Sequence, residues 1–272
     1  MAKDNDSNKP KISVIMPTYN RARYIADAIK SAQNQILRDW ELIVVDDGST
    51  DETGIIVHEM AKNDPRISYF KNERNLGIAT TRNRGVSLAK ADYVAMLDSD
   101  DIWISPDKLA KQLSFFEHNE KLGIVGTNAF FINEDGKPIG KRTRFPSDDI
   151  DIRKVELYRN ILMQSGLVIR KSAILQAGGY DPQFSIFDDH DLWLKIGKNY
   201  EFMILPSLDL TYRIHKGGIT MAKRLKTAQE GMKILFKYKR LYPGFLMGLF
   251  TCTGRFFTSR LLIFWIRSFL SP

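Results

Sequence analysis

Short apolar runs rich in β-branched residues alternate with longer stretches of helical periodicity over the first 120 residues. The run Ile12-Ser13-Val14-Ile15-Met16, stopped by Pro17, predicts a buried strand, as do Glu41 to Val45, Ile67 to Phe70 and Tyr93 to Leu97. Helical patterns lie between them, from Ala22 to about Gln33, from beyond Asp51 to about Asn63, and from Gly77 to Leu88. Pro106 marks the start of another, reaching about Asn119. This alternation predicts βαβ units, hence an α/β fold with a mostly parallel central sheet covered by helices on both faces. From Ile124 the pattern loosens. Strands are expected at Ile124 to Ile132 and Leu167 to Ile169, a turn at Asp135-Gly136, and short helices at Ile152 to Asn160, Lys171 to Ala177 and His190 to Lys198.

Ligands of such sheets bind beyond the carboxyl ends of the strands, and there the polar clusters fall. Pro17 to Arg21 follows the first strand, Asp46 to Asp51 the second, and Asp98-Ser99-Asp100-Asp101 the fourth. Three segments are thus expected to converge on one cleft. No linker or internal repeat divides the chain before Gly218, so residues 11–218 read as a single domain, with 219–272 as a tail. A chain of 272 residues with 43% hydrophobic and 26% charged composition can bury a core of that size.

The formal charge of +8 first suggests a nucleic-acid binder, but its distribution argues otherwise. From Arg213 onward there are twelve Lys or Arg and one acid, Glu230; the preceding residues hold 28 bases and 31 acids. A mildly acidic body with a basic, aromatic-rich tail predicts no nucleic-acid partner and an anionic surface for the tail. A lone cysteine, Cys252, and a polar start predict a reducing compartment, the cytoplasm.

Three acids within Asp98-Ser99-Asp100-Asp101 would repel one another unless a cation or donor-rich ligand compensates them. Oxygen ligands favour Mg²⁺ or Mn²⁺. A solvated turn followed by a helix cap explains the same residues, because a D-x-D alone is a weak signal. Walker and Gly-x-Gly-x-x-Gly sequences are missing after the strands, which removes the usual phosphate-loop and dehydrogenase readings.

Ser13 to Arg21, Val44 to Asp51, Asn75-Leu76-Gly77 with Arg82-Asn83 and Gly85, and Leu97 to Asp101 together resemble, in order and spacing, the family 2 glycosyltransferases of the Rossmann-like GT-A fold. Gly178-Gly179-Tyr180-Asp181 and Asp188-Asp189-His190-Asp191-Leu192-Trp193 are similar to that family's acceptor-side motifs. The resemblance implies a nucleotide-sugar half over about 11–120 and an acceptor half over about 121–218. It also implies a metal-dependent, inverting hexosyl- or N-acetylhexosaminyl-transferase using a nucleotide-sugar donor, a UDP-sugar, in polysaccharide or lipopolysaccharide synthesis.

Carried over residue by residue, the resemblance assigns Tyr19 and Asp47 to the base, by stacking and hydrogen bonding, with Pro17 and Thr18 shaping the wall. Arg82 would reach the base or diphosphate, Asp98 would lie near the ribose, and Asp100 would bind Mn²⁺ or Mg²⁺. Asp101 would contact the donor sugar or cap the next helix. Asp189 would be the catalytic base, with Asp188 the alternative because it stands where the family usually has Glu. Asp191 reads as a helix N-terminal acid. His215, within Tyr212-Arg213-Ile214-His215, is a further candidate metal ligand, although a lone His is more often packed.

Ala222 to Arg240 reads as a basic amphipathic helix. Beyond Pro243, Arg255, Arg260 and Arg267 interrupt the apolar runs before the ~20 residues needed to span a bilayer. The tail is therefore expected to lie on an anionic membrane at its cytoplasmic side, near a lipid-linked or glycan acceptor; a helix packed on the body would show the same pattern. Two other functions remain. A nucleotidyltransferase would carry a Gly-rich basic loop after the first strand, and a non-catalytic sugar-nucleotide or membrane-binding module would not turn over donor.

Overall fold

The computed structural model describes residues 9–215 and 224–253. Its first strand, β1 (Ile12–Thr18), is buried at every position, and β2 (Trp40–Asp46) at all but Glu41. Alternate side chains feed two separate cores: Val14, Met16, Leu42 and Val44 enter one, Ile15, Ile43 and Val45 the other. That is why these strands read as continuous apolar runs.

The first core is closed by α1 (Ile25–Gln33), α2 (Thr53–Asn63) and α4 (Lys108–His118), through residues such as Ile29, Val57 and Leu113. The second is closed by α3 (Ile78–Leu88), α5 (Asp149–Arg159), α6 (Lys171–Gln176), α7 (Asp188–Ile196) and α8 (Arg224–Tyr238). Val86, Leu157, Ile174, Trp193 and Leu235 represent them there.

The remaining strands are β3 (Ile67–Lys71), β4 (Tyr93–Met96), β5 (Ile102–Trp103), β6 (Leu122–Ile132), β7 (Pro138–Arg142), β8 (Val168–Arg170) and β9 (Glu201–Arg213). They form one sheet in the order β3-β2-β1-β4-β8-β6-β9-β5, with β7 paired to β6. β1 to β4 are mutually parallel, and so is the long β6·β9 pair. The reversed strand β8 joins these two parallel groups, antiparallel to both β4 and β6.

The expected strands and helices of the first half are all present. Three strands were not expected: the two-residue β5, the polar β7 and the thirteen-residue β9. In β9 the periodicity is broken by Pro206. The register jumps there from Thr127↔Leu205 to Asn128↔Leu208, so exposed Pro206 sits in a bulge and no ladder hydrogen bond is lost.

The start of the expected tail also needs correcting. The apolar face of α8 does not lie open to a membrane; Ala228, Ile234, Leu235 and Tyr238 are buried on the body, followed by Tyr242, whose hydroxyl donates to Leu194 O at 3.1 Å. The amphipathic pattern reported a buried face without saying what buries it. Residues 245–253 are again helical, and Leu241, Leu246, Met247 and Phe250 are exposed. Residues 219–223 and 254–272, also assigned to the tail, lie outside the described residues.

Candidate active site

The loops after β1 and β2 are clasped together. Asn20 takes a left-handed conformation (φ 51°), which asparagine tolerates. Its backbone N–H then donates to Ser49 Oγ at 2.8 Å, and its side-chain oxygen accepts from Thr50 N–H at 2.9 Å. Asp47 receives the next loop: Oδ1 accepts from Asn72 Nδ2 and Leu76 N–H, both at 2.8 Å, and Oδ2 from Gly77 N–H at 2.9 Å. Between them Gly48 (φ 82°) approaches so closely that a Cβ would meet the Arg74 carbonyl carbon at 2.9 Å. This clasp leaves Tyr19 43% exposed over the cleft, free to stack on a planar ring, above buried Pro17 and Thr18.

The acids after β4 diverge in role. Asp100 Oδ2 meets His215 Nε2 at 2.9 Å and Arg21 Nε at 3.1 Å. Burial would raise its carboxyl, but these hydrogen bonds and the Arg21 charge hold it below the ordinary carboxylate range. Asp101 points inward: Ser165 Oγ donates to Oδ2, and Arg213 N–H to Oδ1 at 2.9 Å. It is 1% exposed, with both carboxylate oxygens engaged at the back of the cleft it helps to line, and the N-cap of α4 is Asp107. Its work is to tie β9 behind the acidic loop. Burial, then the neighbouring Asp100 and Asp98, push its carboxyl well up.

Arg82, expected at the base or diphosphate, lines the cleft with its side chain only 7% exposed and bridges its two sides. Nη1 donates to Asp188 Oδ2 at 2.8 Å and Nη2 to Asp98 Oδ1 at 3.1 Å. The next residue joins the same two regions: Asn83 pairs with the backbone of Tyr180, accepting from its N–H at 2.9 Å and donating to its oxygen at 2.7 Å. Gly179 (φ 73°) permits this, since a Cβ there would meet Asn83 Oδ1 at 2.6 Å. The Arg-Asn and Gly-Gly-Tyr motifs are thus two halves of one contact.

Asp189 opens α7 beside Asp188, where the helix dipole favours acids. Its Oδ1 accepts from His190 N–H at 2.6 Å and faces Asn160 Nδ2 at 3.4 Å. Burial, then Asp188, push its carboxyl up to about 7 against the opposing pull of Arg82. Asp191 is structural, accepting from Tyr238 Oη and Lys237 Nζ at 2.7 Å each.

The sequence reading missed the supports behind these residues. Glu156 is fully buried; its Oε2 accepts from Ile161 N–H at 3.0 Å and shapes the turn carrying Asn160, and burial pushes its carboxyl up to about 8. Glu230, the single acid of the basic C-terminal stretch, accepts from the backbone N–H groups of Ser185, Ile186 and Phe187 just ahead of Asp188. An isolated acid among twelve bases was the available signal. Arg21, already inside the first polar cluster, was named without a role.

Together these walls line a cleft of about 1180 Å³ running from Tyr19 and Asp47, past Asp98, Asp100 and Asp189, to Ile234 on α8. Among the described residues no group of three His, Cys, Asp or Glu could by itself hold a metal, and no helix is long and apolar enough to cross a membrane.

Residues 13–176 match the model of Glycosyl transferase family 2. An uncharacterised glycosyltransferase of Methanocaldococcus jannaschii is 32% identical over 212 residues, covering 77% of this chain and 72% of its own. A putative teichuronic acid biosynthesis glycosyltransferase, TuaG of Bacillus subtilis, is 42% identical over 139 residues; the match covers 51% of this chain and only 54% of TuaG. Among solved structures, S. aureus TarS 1–349 in complex with UDP-GlcNAc superposes with a TM-score of 0.69 at 20% identity, over 85% of this chain and 67% of that one. That likeness establishes the GT-A fold. With the family's sequence match spanning more than half the chain, the protein belongs to glycosyl transferase family 2 and is a glycosyltransferase.

Proposed function

We propose that the enzyme moves a hexosyl or N-acetylhexosaminyl group from a UDP-sugar to a lipid-linked or surface-glycan acceptor, with inversion, in polysaccharide or lipopolysaccharide biosynthesis. The observation that carries this reading is the Arg82 bridge, which fixes the Asp98 loop and the Asp188-Asp189 turn as facing walls of one cleft. TarS with its bound UDP-GlcNAc and the teichuronic acid relative support the donor and the polymer class.

In this reading Tyr19 stacks on the base and Asp47 fixes its edge. The acceptor hydroxyl oxygen attacks the anomeric carbon from the face opposite the diphosphate. Its proton passes to Asp189, while the anomeric C–O bond breaks and its electron pair leaves with the nucleoside diphosphate. Arg21 and His215, both on Asp100, would meet that negative charge.

In this reading Asp100 and His215 would hold an Mn²⁺ ion, or Asp100 alone an Mg²⁺ ion, which takes oxygen ligands; phosphate and water would fill the remaining positions. The ion would supply charge neutralisation to the leaving diphosphate.

Calorimetric titration with UDP, a panel of UDP-sugars and GDP-mannose, with Mn²⁺, Mg²⁺ or chelator, tests this. One nucleotide-sugar should bind in a metal-dependent way, and Asp100→Ala should weaken it at least about tenfold. A wild type that binds GDP-mannose alone, or no member of the panel, would overturn the donor assignment. A nucleotidyltransferase would instead consume a nucleoside triphosphate and release pyrophosphate.

In this reading the enzyme works at the cytoplasmic face of a membrane, peripherally bound. Exposed Leu241, Leu246, Met247 and Phe250, near exposed Lys239 and Arg240, support contact with anionic lipid. Deleting this segment would remove buried Tyr242, so surface substitution is the cleaner test. Leu246→Ser, Met247→Ser and Phe250→Ser combined should reduce flotation with phosphatidylglycerol vesicles at least about threefold; unchanged flotation would move the contact elsewhere.

A further inference from the structure

Beside Asp189 the cleft wall is built from one short segment, Asn160 to Gln164, that carries no recognisable motif. Asn160 caps the C-terminus of α5 in the left-handed region (φ 45°), its backbone N–H returned to Glu156 O at 3.3 Å. Gln164 opens the 3₁₀ turn Gln164–Gly166 and is 6% exposed. Both line the cleft.

The two carboxamides share a peculiarity. Each engages its NH₂ group with the protein, Asn160 toward Asp189 Oδ1 at 3.4 Å and Gln164 to Tyr180 Oη at 3.1 Å. Each leaves its carbonyl oxygen buried and without a hydrogen-bond partner among the described residues. Buried acceptors of this kind are rare because desolvating them is costly unless a donor arrives. The ionised Asp189 carboxylate can only accept, so it fixes which way the Asn160 amide faces before any ligand binds, while the Tyr180 hydroxyl holds the Gln164 side chain in place beside it.

We propose that Asn160 and Gln164 form a sugar-hydroxyl subsite. Their carbonyl oxygens accept hydrogen bonds from pyranose hydroxyls next to the reacting centre and select which sugar fits. Two acceptors with no accompanying free donor suit O–H groups rather than carboxylate or phosphate. A third acceptor, Asp189, lies within reach of Asn160 itself. Sugar hydroxyls reach this wall from either the donor sugar or the acceptor glycan, and the test separates the two. The inference rests on the nucleotide-sugar reading of the cleft.

The variants are Asn160→Gly, which keeps the left-handed backbone, and Gln164→Met, which keeps the side-chain shape. For the donor, the ratio of Kd for UDP to Kd for the tightest-binding UDP-sugar is measured by calorimetry. For the acceptor, KM is measured from UDP release with a panel of methyl glycosides. At least one quantity should worsen about tenfold in each variant, with Kd for UDP unchanged and a cooperative thermal transition retained. A change in the Kd ratio assigns the subsite to the donor sugar, and a change in KM alone assigns it to the acceptor. Gln164→Glu, which retains an acceptor oxygen, should recover most of the loss. Folded variants with both quantities within about twofold of the wild type would overturn the proposal. If the wild type bound no UDP-sugar, the underlying reading would fail and the proposal with it.

Discussion

Replacing Asp189 with asparagine is expected to lower sugar transfer by roughly two to four orders of magnitude while leaving donor affinity within about threefold of the wild type. The substitution preserves size and the neighbouring contacts to His190 and Asn160 but removes the carboxylate proposed to take the acceptor's proton. The pH profile supplies an independent reading. A carboxyl pushed up to about 7 by burial and Asp188 is half protonated near neutrality, and only its ionised form accepts a proton. Transfer in the wild type should therefore climb as pH rises through the neutral range and level off above it. An ordinary exposed carboxylate would give a flat profile there. Asp188 is the control, because its Oδ2 is already engaged by Arg82. If Asp188→Asn abolished transfer while Asp189→Asn kept it, the two roles would have to be exchanged.

The first half of this site was legible because it obeys one rule: polar residues gathered at the carboxyl ends of apolar strands meet above the sheet. Tyr19, Asp47, Asp98 and Asp100 all follow it. The same rule could not tell Asp101, which turns inward, from Asp100, which faces the cleft. Adjacent residues on a tight loop share composition and differ only in direction. β9 escaped notice because Pro206 breaks its period, a break that only the register against β6 explains. The supports were harder still. Asn160 and Gln164 act on partners well along the chain, Glu156 on a turn that only the folded backbone forms, and the meaning of the two amides depends on which hydrogen bonds are left unmade, a property of packing alone. α8 was visible as amphipathic, yet a buried stripe looks the same whether protein or lipid covers it. That it carries Glu230 against the turn before Asp188 makes the basic stretch a support of the cleft wall as well as a candidate membrane contact.

Arg82→Met should destabilise the fold by about 3–5 kcal/mol, the usual consequence of removing one partner from a buried ionic network. For a chain of this size that lowers the thermal midpoint by about 10 °C. The side chain is 7% exposed and is the cation bridging Asp98 and Asp188, with Asp189 adjacent; methionine fills its volume but leaves three acids facing one another. Those acids can relieve the repulsion only by taking up protons. The base would then be protonated over a wider range, and the transfer profile of the variant should move toward alkaline pH. Arg82→Lys should recover part of the stability and little of the transfer, because one ammonium cannot make the two-sided contact of the guanidinium fork. A double variant, Arg82→Met with Asp188→Leu, removes one of the stranded charges and should be more stable than Arg82→Met alone, a non-additivity that thermal unfolding measures directly. If Arg82→Met unfolded within about 2 °C of the wild type, the bridge would not be what holds the two walls of the cleft together. The placement of Asp189 opposite Asp98 would then have to rest on the Asn83–Tyr180 contact instead.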